Sequence, residues 1–444
     1  MKKADMEEIQ AVRAVQAVKA QYESLPYPPR DPGDEKTRLI RTWLEDLPKI
    51  NYYCFGGKNS FRDGLRVLIA GGGTGDATIF LAWQLRSTNA RIVHLDLSAT
   101  SIDIARRRAA ERGLTNIEWV NASLLEYRGE RASFDYINCA GVLHHLPDPD
   151  AGFRALDELL ASNGAMGLMV YGKYGRAGVY QMQELMRLVN ADCENQAEAL
   201  ANAKQMLASL PPSNWFVRGG DLYNDHRNGD AGIYDLLLHS TDRAYTVNEL
   251  YAWLQDGHGF NLEFTDVYAG RSAYLPHVIM GNLPADQANR FRSLPGRRQH
   301  AIAEIMSGRI TTHSFYLTRG DSKKAPYRDV NAVPMYFHEP VNGLMLEQIF
   351  NTNKNKSKTF VLQHQRAGVA FPVRRGKYGP RILHEIDGGK TFGEIFDRVR
   401  DDIVFKFDHP TNDLLFDDFE ESFNALNCLD RLILRSKTVL PLDG

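Results

Sequence analysis

The stretch LRVLIAGGGTGDATIFLA, residues 65–82, constrains the chain more than any other. A short apolar run stops at glycines 71, 72, 73 and 75, and a segment of helical spacing follows at once. A run of this length bounded by glycine reads as a buried strand. Glycines at its end let the main chain take positive φ and approach a neighbour closely, while the next helix offers free N–H groups at the same spot. The alternation then continues. RIVHLDLS reads as a strand, and SATSIDIARRRAAERG as a helix with Ser98 at its N-cap and Gly113 as its stop. NIEWVNA is a strand, FDYINCAGVLHHL a strand and loop, DAGFRALDELLASNG a helix and AMGLMVYG a strand. Strands alternating with helices of about 10–15 residues imply right-handed crossovers and a parallel sheet covered on both faces. The expected fold class is α/β, doubly wound.

Bulk properties narrow what such a sheet serves. At 444 residues the chain exceeds one ordinary core, so about two or three domains are expected. With 43% hydrophobic and 24% charged residues it has the composition of a globular protein, and no apolar run reaches the roughly 18 residues of a membrane helix. Residues 1–20 mix acids and bases and lack the apolar centre of a secretory signal, which leads to an expected cytoplasmic location. Cys54, Cys139, Cys193 and Cys428 are scattered without a CxxC pair, so neither a disulfide framework nor a structural zinc site is indicated. A formal charge of -2 gives no general attraction to phosphate backbones. The run Arg106–Arg108 lacks interleaved aromatics and reads as a solvated helix face. Neither nucleic acid nor membrane is expected as a partner.

In an open α/β sheet, ligands settle at the carboxyl ends of the strands near the point where strand order reverses. A glycine-rich turn alone fits tight packing as well as it fits a nucleotide-like ligand. Asp96 adds a second signal: it ends the second strand, where an acid about 20 residues after the glycines can accept from a ribose diol. A dinucleotide fingerprint fails in both frames, because Asp76 stands where a start at Gly71 needs glycine, and Thr78 is too bulky for a start at Gly73. G-x-G-x-G from Gly71 to Gly75 suits a cofactor without phosphate.

VLIAGGGTGD, HLDLS, NASLLEY and FDYINCAGVLHHLPDP, in this order and spacing, resemble the class I S-adenosyl-L-methionine-dependent methyltransferases over about residues 50–175. The resemblance implies a Rossmann-like seven-stranded sheet, S-adenosyl-L-methionine as cofactor and S-adenosyl-L-homocysteine as product. It places Gly71, Gly73 and Gly75 under the methionine and ribose portions and Asp96 on the ribose hydroxyls. Leu97 would pack on the adenine, Ser123 would stand where the family often has an acid facing the adenine amino group with Leu124 next to it in the cofactor site, and Cys139 with Ala140 would lie beside the cofactor at the fourth strand. Two acids common in the family are replaced here, by Ile69 and by Ser123. Asp76 is either a first-turn acid favoured by the helix dipole or a partner for the cofactor ammonium.

Further resemblances organise the rest. THSFYLTRG, 312–320, is similar to the antiparallel strand that closes the family's sheet, with NLEFTDVYAG as its partner. The expected division is an N-terminal helical and aromatic lid, 1–60, a methyltransferase domain, 61–320, with a helical insertion at 176–257, and a C-terminal module, 321–444. IYDLLLHSTDRAYTVNELYAWLQDGHGF faintly resembles a regulatory segment of some bacterial protein-lysine methyltransferases. TFGEIFDRVR, DFEESFNALNCLD and RLILRS resemble a small winged-helix-like α+β domain.

Transfer of a methyl from a sulfonium is an in-line displacement, so the protein must align the acceptor and usually remove its proton. His144 and His145 are candidate bases, against the alternative that they pack locally. Tyr171 and Arg176 lie where acceptor-binding residues are commonly placed, Arg176 also reading as a surface loop arginine. Tyr22, Tyr27, Tyr52 and Tyr53 are candidate lid aromatics or ordinary half-buried ones. Neither His226 with Asp230 nor the His144–His145 pair has a partner set at metal-ligand spacing, so no metal is expected. The acceptor is read as a protein side chain, because the insertion and C-terminal module offer more recognition surface than a metabolite needs. A small-molecule acceptor and a non-catalytic cofactor-sensing protein stand as alternatives, and a homodimer is the expected assembly.

Overall fold

The computed structural model describes residues 15–439 apart from positions 17, 194, 268, 282, 338–358, 365–367 and 406. Its strands in chain order are β1 (Arg66–Ala70), β2 (Arg91–Asp96), β3 (Ile117–Asn121), β4 (Phe134–Ala140), β5 (Leu160–Gly172), β6 (Ala244–Tyr245), β7 (Phe260–Thr265), β8 (Thr312–Arg319), β9 (Ala332–Tyr336), β10 (Thr359–His364), β11 (Val369–Arg374) and β12 (Leu432–Ser436). The chain divides into two units: residues 1–46, 61–253 and 308–319, and residues 47–60, 254–307 and 320–444.

The first unit holds seven strands of the sheet, in the order β3-β2-β1-β4-β5-β8 with β6 alongside β5. The pairs among β1 to β5 are parallel, and β8 runs antiparallel to β5, from Ala165 opposite Thr318 to Tyr171 opposite Thr312. β1 is buried from Val67 to Ala70, as a central strand covered on both faces must be. The helices after β1, β2 and β4 start on chemistry legible in the sequence. Gly75, at φ +100°, precedes helix Asp76–Gln84. The Ser98 hydroxyl accepts from the Ser101 N–H at the start of Ala99–Glu111, and Gly113 beyond its end has φ +64°. Asp148 accepts from the N–H groups of Asp150 and Ala151, ahead of Pro149 at the first position of Pro149–Leu159.

Arg108 departs from the solvated face read from the sequence. Its side chain is only 1% exposed, and its guanidinium pairs with Glu35 at 2.6 Å and Asp76 at 2.7 Å. The helix packs inward at that position, and Glu35 arrives from a segment whose approach no local spacing reveals.

The expected insertion forms a small apolar core of its own, in which Val179, Met182 and Met186 of helix Ala177–Val189 meet Ala203, Phe216 and Leu236. Its residues Ala244 and Tyr245 nevertheless join the sheet as β6, opposite Tyr171 and Gly172.

The second unit gathers distant parts of the chain. β9 and β12 pair antiparallel, as do β10 and β11. Helices Phe392–Asp401 and Asn412–Cys428 supply a buried aromatic cluster of Phe392, Phe396, Phe416, Phe419 and Phe423. Helix Leu47–Cys54 belongs here too: Lys49 pairs with Asp430 at 2.7 Å, both side chains under 9% exposed, while Tyr52 and Tyr53 donate to Asn427 and Asp430. Of the segment expected as one lid, residues up to 46 accompany the first unit and 47–60 the second.

Candidate functional site

The chain leaves β1 toward β2 and β3, then returns to place β4 on the other side of β1, so the strand order reverses between β1 and β4. The glycine turn sits at that reversal. A Cβ at Gly71, φ +74°, would lie 2.2 Å from Val142 Cγ2, and one at Gly75 would lie 2.8 Å from Ala105 Cβ. These two glycines are therefore required by close packing as well as by backbone conformation. Gly73, at φ +51°, donates its N–H to Asp96 Oδ2 at 2.7 Å, and the Ser98 N–H donates to Oδ1 at 2.8 Å. Burial raises the Asp96 carboxyl above its ordinary value, while these backbone donors oppose the shift. Each carboxylate oxygen keeps lone-pair capacity for a further donor.

Around this point Leu97 is half-buried, Ser123 and Leu124 are buried, and the Ser123 hydroxyl accepts from the Leu125 N–H. Cys139 is wholly buried within β4, where burial pushes its thiol up to about 12, and Ala140 is half-buried at the strand end. Cys139 can therefore line the site through its backbone, its side chain being part of the core.

The N-terminal segment crosses the ends of β1 and β2. The Tyr22 carbonyl accepts from the Ser98 hydroxyl at 3.1 Å. Glu23 accepts from the N–H groups of Ala99 and Thr100 at the helix start. The Pro28 carbonyl accepts from the Thr74 hydroxyl at 2.7 Å, and Arg30 pairs with Asp76 at 2.5 Å. Burial would raise the Asp76 carboxyl, but Arg30 and Arg108 hold it below its ordinary value. Of the two sequence readings of Asp76, this geometry accommodates the first-turn acid directly, with both oxygens engaged by arginines.

The four candidate catalytic residues meet at the ends of β4 and β5. The His144 ring lies 3.8 Å from the Tyr171 ring, is fully buried, and has no partner at either nitrogen among the described residues. Burial, reinforced by His145 and Arg176, holds it neutral. The His145 Nδ1 lies 2.8 Å from the Thr241 carbonyl, which only accepts, so the proton is assigned to Nδ1 and the lone pair to Nε2. Burial lowers its pKa to about 4. The Arg176 guanidinium stacks 3.5 Å from the Tyr171 ring and 3.5 Å from Asp242, its side chain only 4% exposed. The surface reading of Arg176 is thereby corrected: the strand end and helix Ala177–Val189 bury it against the insertion.

Three further groups come from the insertion, and sequence reasoning missed them. His239 stacks on His145 at 3.8 Å, Asp242 accepts from Tyr180 and Gln183 as well as Arg176, and Asp235 accepts from the Tyr22 hydroxyl at 2.8 Å. Tyr27 likewise donates to Asp225 at 3.0 Å. Thr241 follows His145 by 96 positions, so no short motif could signal the cluster. The apolar run IYDLLL breaking into HSTD was the available hint.

His145, Asp235 and His239 each place one ligand-type atom within 4.8 Å of the others, a separation a metal ion could bridge. A ligand nitrogen needs a lone pair, which the inward Nε2 of His145 has and that of His239 lacks. His239 Nδ1 accepts the Thr241 N–H at 3.1 Å, so its proton sits on Nε2, the nitrogen left facing inward without a partner.

Residues 67–164 match a family model described as a methyltransferase domain. An uncharacterised protein of Synechococcus sp. is 29% identical over 71% of this chain and 74% of its own length. A ubiquinone biosynthesis O-methyltransferase of Pasteurella multocida is 30% identical over 23% of this chain, and the match spans 45% of that enzyme. Among solved structures, PKMT2 from Rickettsia typhi shares the fold at TM-score 0.57 and 16% identity, covering 92% of this chain and 77% of that one. Its complex with AdoHcy gives TM-score 0.56.

Proposed function

We propose that this chain, which carries a class I S-adenosyl-L-methionine-dependent methyltransferase domain, transfers the cofactor's methyl group to a protein side chain in the cytoplasm. The residues present fit the cofactor: a glycine-rich turn at the strand-order reversal, and beside it the half-buried Asp96 carboxylate with lone pairs to spare. When bound, the cofactor supplies a methyl group already activated on a sulfonium. Gly71, Gly73 and Gly75 give it a close backbone floor, and Asp96 receives the ribose hydroxyls. Leu97, Ser123 and Leu124 border the adenine side, and Cys139 with Ala140 lies beside the cofactor at the end of β4. The segment from Tyr22 to Arg30 covers the strand ends and excludes water, which strengthens each polar contact inside. Tyr171, Arg176, His144 and His145 line the acceptor side, where the stacked rings and the Arg176–Asp242 pair fix one another.

The observation that carries the protein acceptor is the second unit. It is a separate body with its own aromatic core, more surface than alignment of a metabolite requires. The fold shared with PKMT2 across 92% of the chain supports the same reading. The test is to incubate the full chain with radiolabelled S-adenosyl-L-methionine and a cell lysate, then separate protein, nucleic acid and small molecules. Label in the protein fraction is the expected outcome. Label confined to small molecules favours the metabolite alternative, label in RNA contradicts the ordering, and cofactor binding without transfer favours a sensor.

A further inference from the structure

The glycine turn holds one glycine more than the G-x-G-x-G pattern uses. Gly71, Gly73 and Gly75 have positive φ, so backbone conformation accounts for them. Gly72 does not, and the reason for its missing side chain is a histidine. A Cβ at Gly72 would stand 2.3 Å from His94 Cε1, 2.4 Å from its Nδ1 and 3.0 Å from its Nε2. The imidazole fills the space that a side chain at 72 would take. His94 lies wholly buried in β2, two residues before Asp96 and so on the same face of the strand. Its Nδ1 is 2.7 Å from the hydroxyl of Thr78, which is itself wholly buried in the helix after the turn. The ring packs at a tilt against Trp119 of β3, centroids 4.9 Å apart. Its Nε2 has no partner among the described residues. Burial lowers the His94 pKa to about 3 and leaves the ring neutral, while the Gly73 main chain opposes the shift, as a carbonyl facing the ring does.

We propose that His94 is a positioning residue of the cofactor site, which sets the glycine turn through a ring packed under Gly72 and an Nε2–H held for the Gly73 carbonyl. The Thr78 hydroxyl donates to Nδ1, which assigns the proton of the neutral ring to Nε2. Asp96 takes the Gly73 N–H at 2.7 Å from the same face of β2. Two side chains of one strand therefore address the N–H and the C=O of the residue on which the cofactor rests. Gly73, at φ +51°, has no side chain to limit its conformations, so its order comes from these two groups. Without the imidazole N–H the turn has more conformations to lose when the cofactor binds, and affinity falls while the core keeps its packing. His94 acts through the turn and touches no reacting atom.

The test compares His94→Phe and His94→Gln in the full chain, by calorimetric titration with S-adenosyl-L-homocysteine and by urea unfolding. Phenylalanine keeps a ring of similar size under Gly72 and removes both nitrogens, while the Thr78 hydroxyl can turn to the carbonyl four residues back. Glutamine returns an N–H donor near the place of Nε2. Affinity is expected to fall about tenfold in His94→Phe, with an unfolding midpoint at or above that of wild type, and His94→Gln should lie between the two in affinity. Wild-type affinity in His94→Phe, or a His94→Gln affinity no better than that of His94→Phe, overturns the proposal. Spectra of the wild-type chain with 15N-labelled histidine read the ring without a variant, the His94 signals being those lost in His94→Gln. A neutral Nε2–H tautomer from about pH 5 to about pH 8 is expected, with an Hε2 resonance that moves downfield on adding S-adenosyl-L-homocysteine as the bond to the carbonyl tightens. An Nδ1–H tautomer, or an Hε2 resonance that does not move downfield, overturns the proposal even where phenylalanine lowers both affinity and stability. A wild-type chain that does not bind S-adenosyl-L-homocysteine overturns the cofactor reading, and this proposal with it.

Discussion

Replacing Asp96 by alanine separates two roles that the structure gives one carboxylate. Its oxygens hold the Gly73 and Ser98 N–H groups at 2.7 and 2.8 Å, and in the proposed complex they also receive the ribose hydroxyls. Loss of a charge-assisted acceptor costs the bound cofactor about 1.5–3 kcal/mol, so S-adenosyl-L-homocysteine affinity should fall about tenfold to a hundredfold. Each N–H left without its partner costs the folded chain a further ~1–3 kcal/mol, less whatever entering water recovers. Asp96→Asn keeps one acceptor oxygen and should lie between alanine and wild type on both scales. Isothermal calorimetry reads the first quantity and urea unfolding the second. A variant with lowered stability and wild-type affinity would show that Asp96 serves the turn alone. Wild-type values on both scales would refute the site.

The buried Arg108 bridges Glu35 and Asp76, so Arg108→Met should destabilise the first unit by about 3–5 kcal/mol, read as a lower urea midpoint; a loss below about 1 kcal/mol would mean the network is solvated. Asp235 titrates at about 6 in the folded chain against an ordinary 3.8, because burial raises it. The folded state then keeps a proton that the unfolded state loses, so stability should fall as pH rises from about 4 to 6, by at most ~3 kcal/mol, and level off above. That slope should vanish in Asp235→Asn, and an identical pH dependence of the two proteins would refute the assignment. Hydrogen exchange should slow between Tyr22 and Arg30 on adding S-adenosyl-L-homocysteine, since closure over the strand ends fixes the Ser98, Thr74 and Asp76 contacts; unchanged exchange there would remove the lid.

What was legible in the sequence is what local chemistry decides. The strand-to-helix rhythm, the Ser98 cap, the Gly113 stop and the antiparallel strand through FYLTR all follow from patterns a few residues long, and the structure has them where the patterns lie. Asp96 was legible because its distance from the glycines is set by one crossover. Groups whose partners lie far along the chain were not. Arg108 carries the same charge as its solvated neighbours, and its buried ion pairs are with Glu35, 73 positions away, and Asp76, 32 positions away. Tyr52 and Tyr53 read as lid aromatics beside Tyr22 and Tyr27, yet their hydroxyls meet Asn427 and Asp430 about 375 positions later. The same long-range pairing changes what a truncation would do. Deleting residues 325–444 removes Asp430 from the buried Lys49, so the remaining chain should lose stability as well as any recognition surface.

The central claim is that the glycine-rich turn at Gly71–Gly75 with Asp96 holds a phosphate-free sulfonium cofactor. Titrating the full chain with S-adenosyl-L-homocysteine, and in parallel with NAD, tests it most directly. Saturable binding of S-adenosyl-L-homocysteine at one site per chain, lost in Gly73→Val, with no heat from NAD, is the expected result. Binding of NAD without binding of S-adenosyl-L-homocysteine would contradict it.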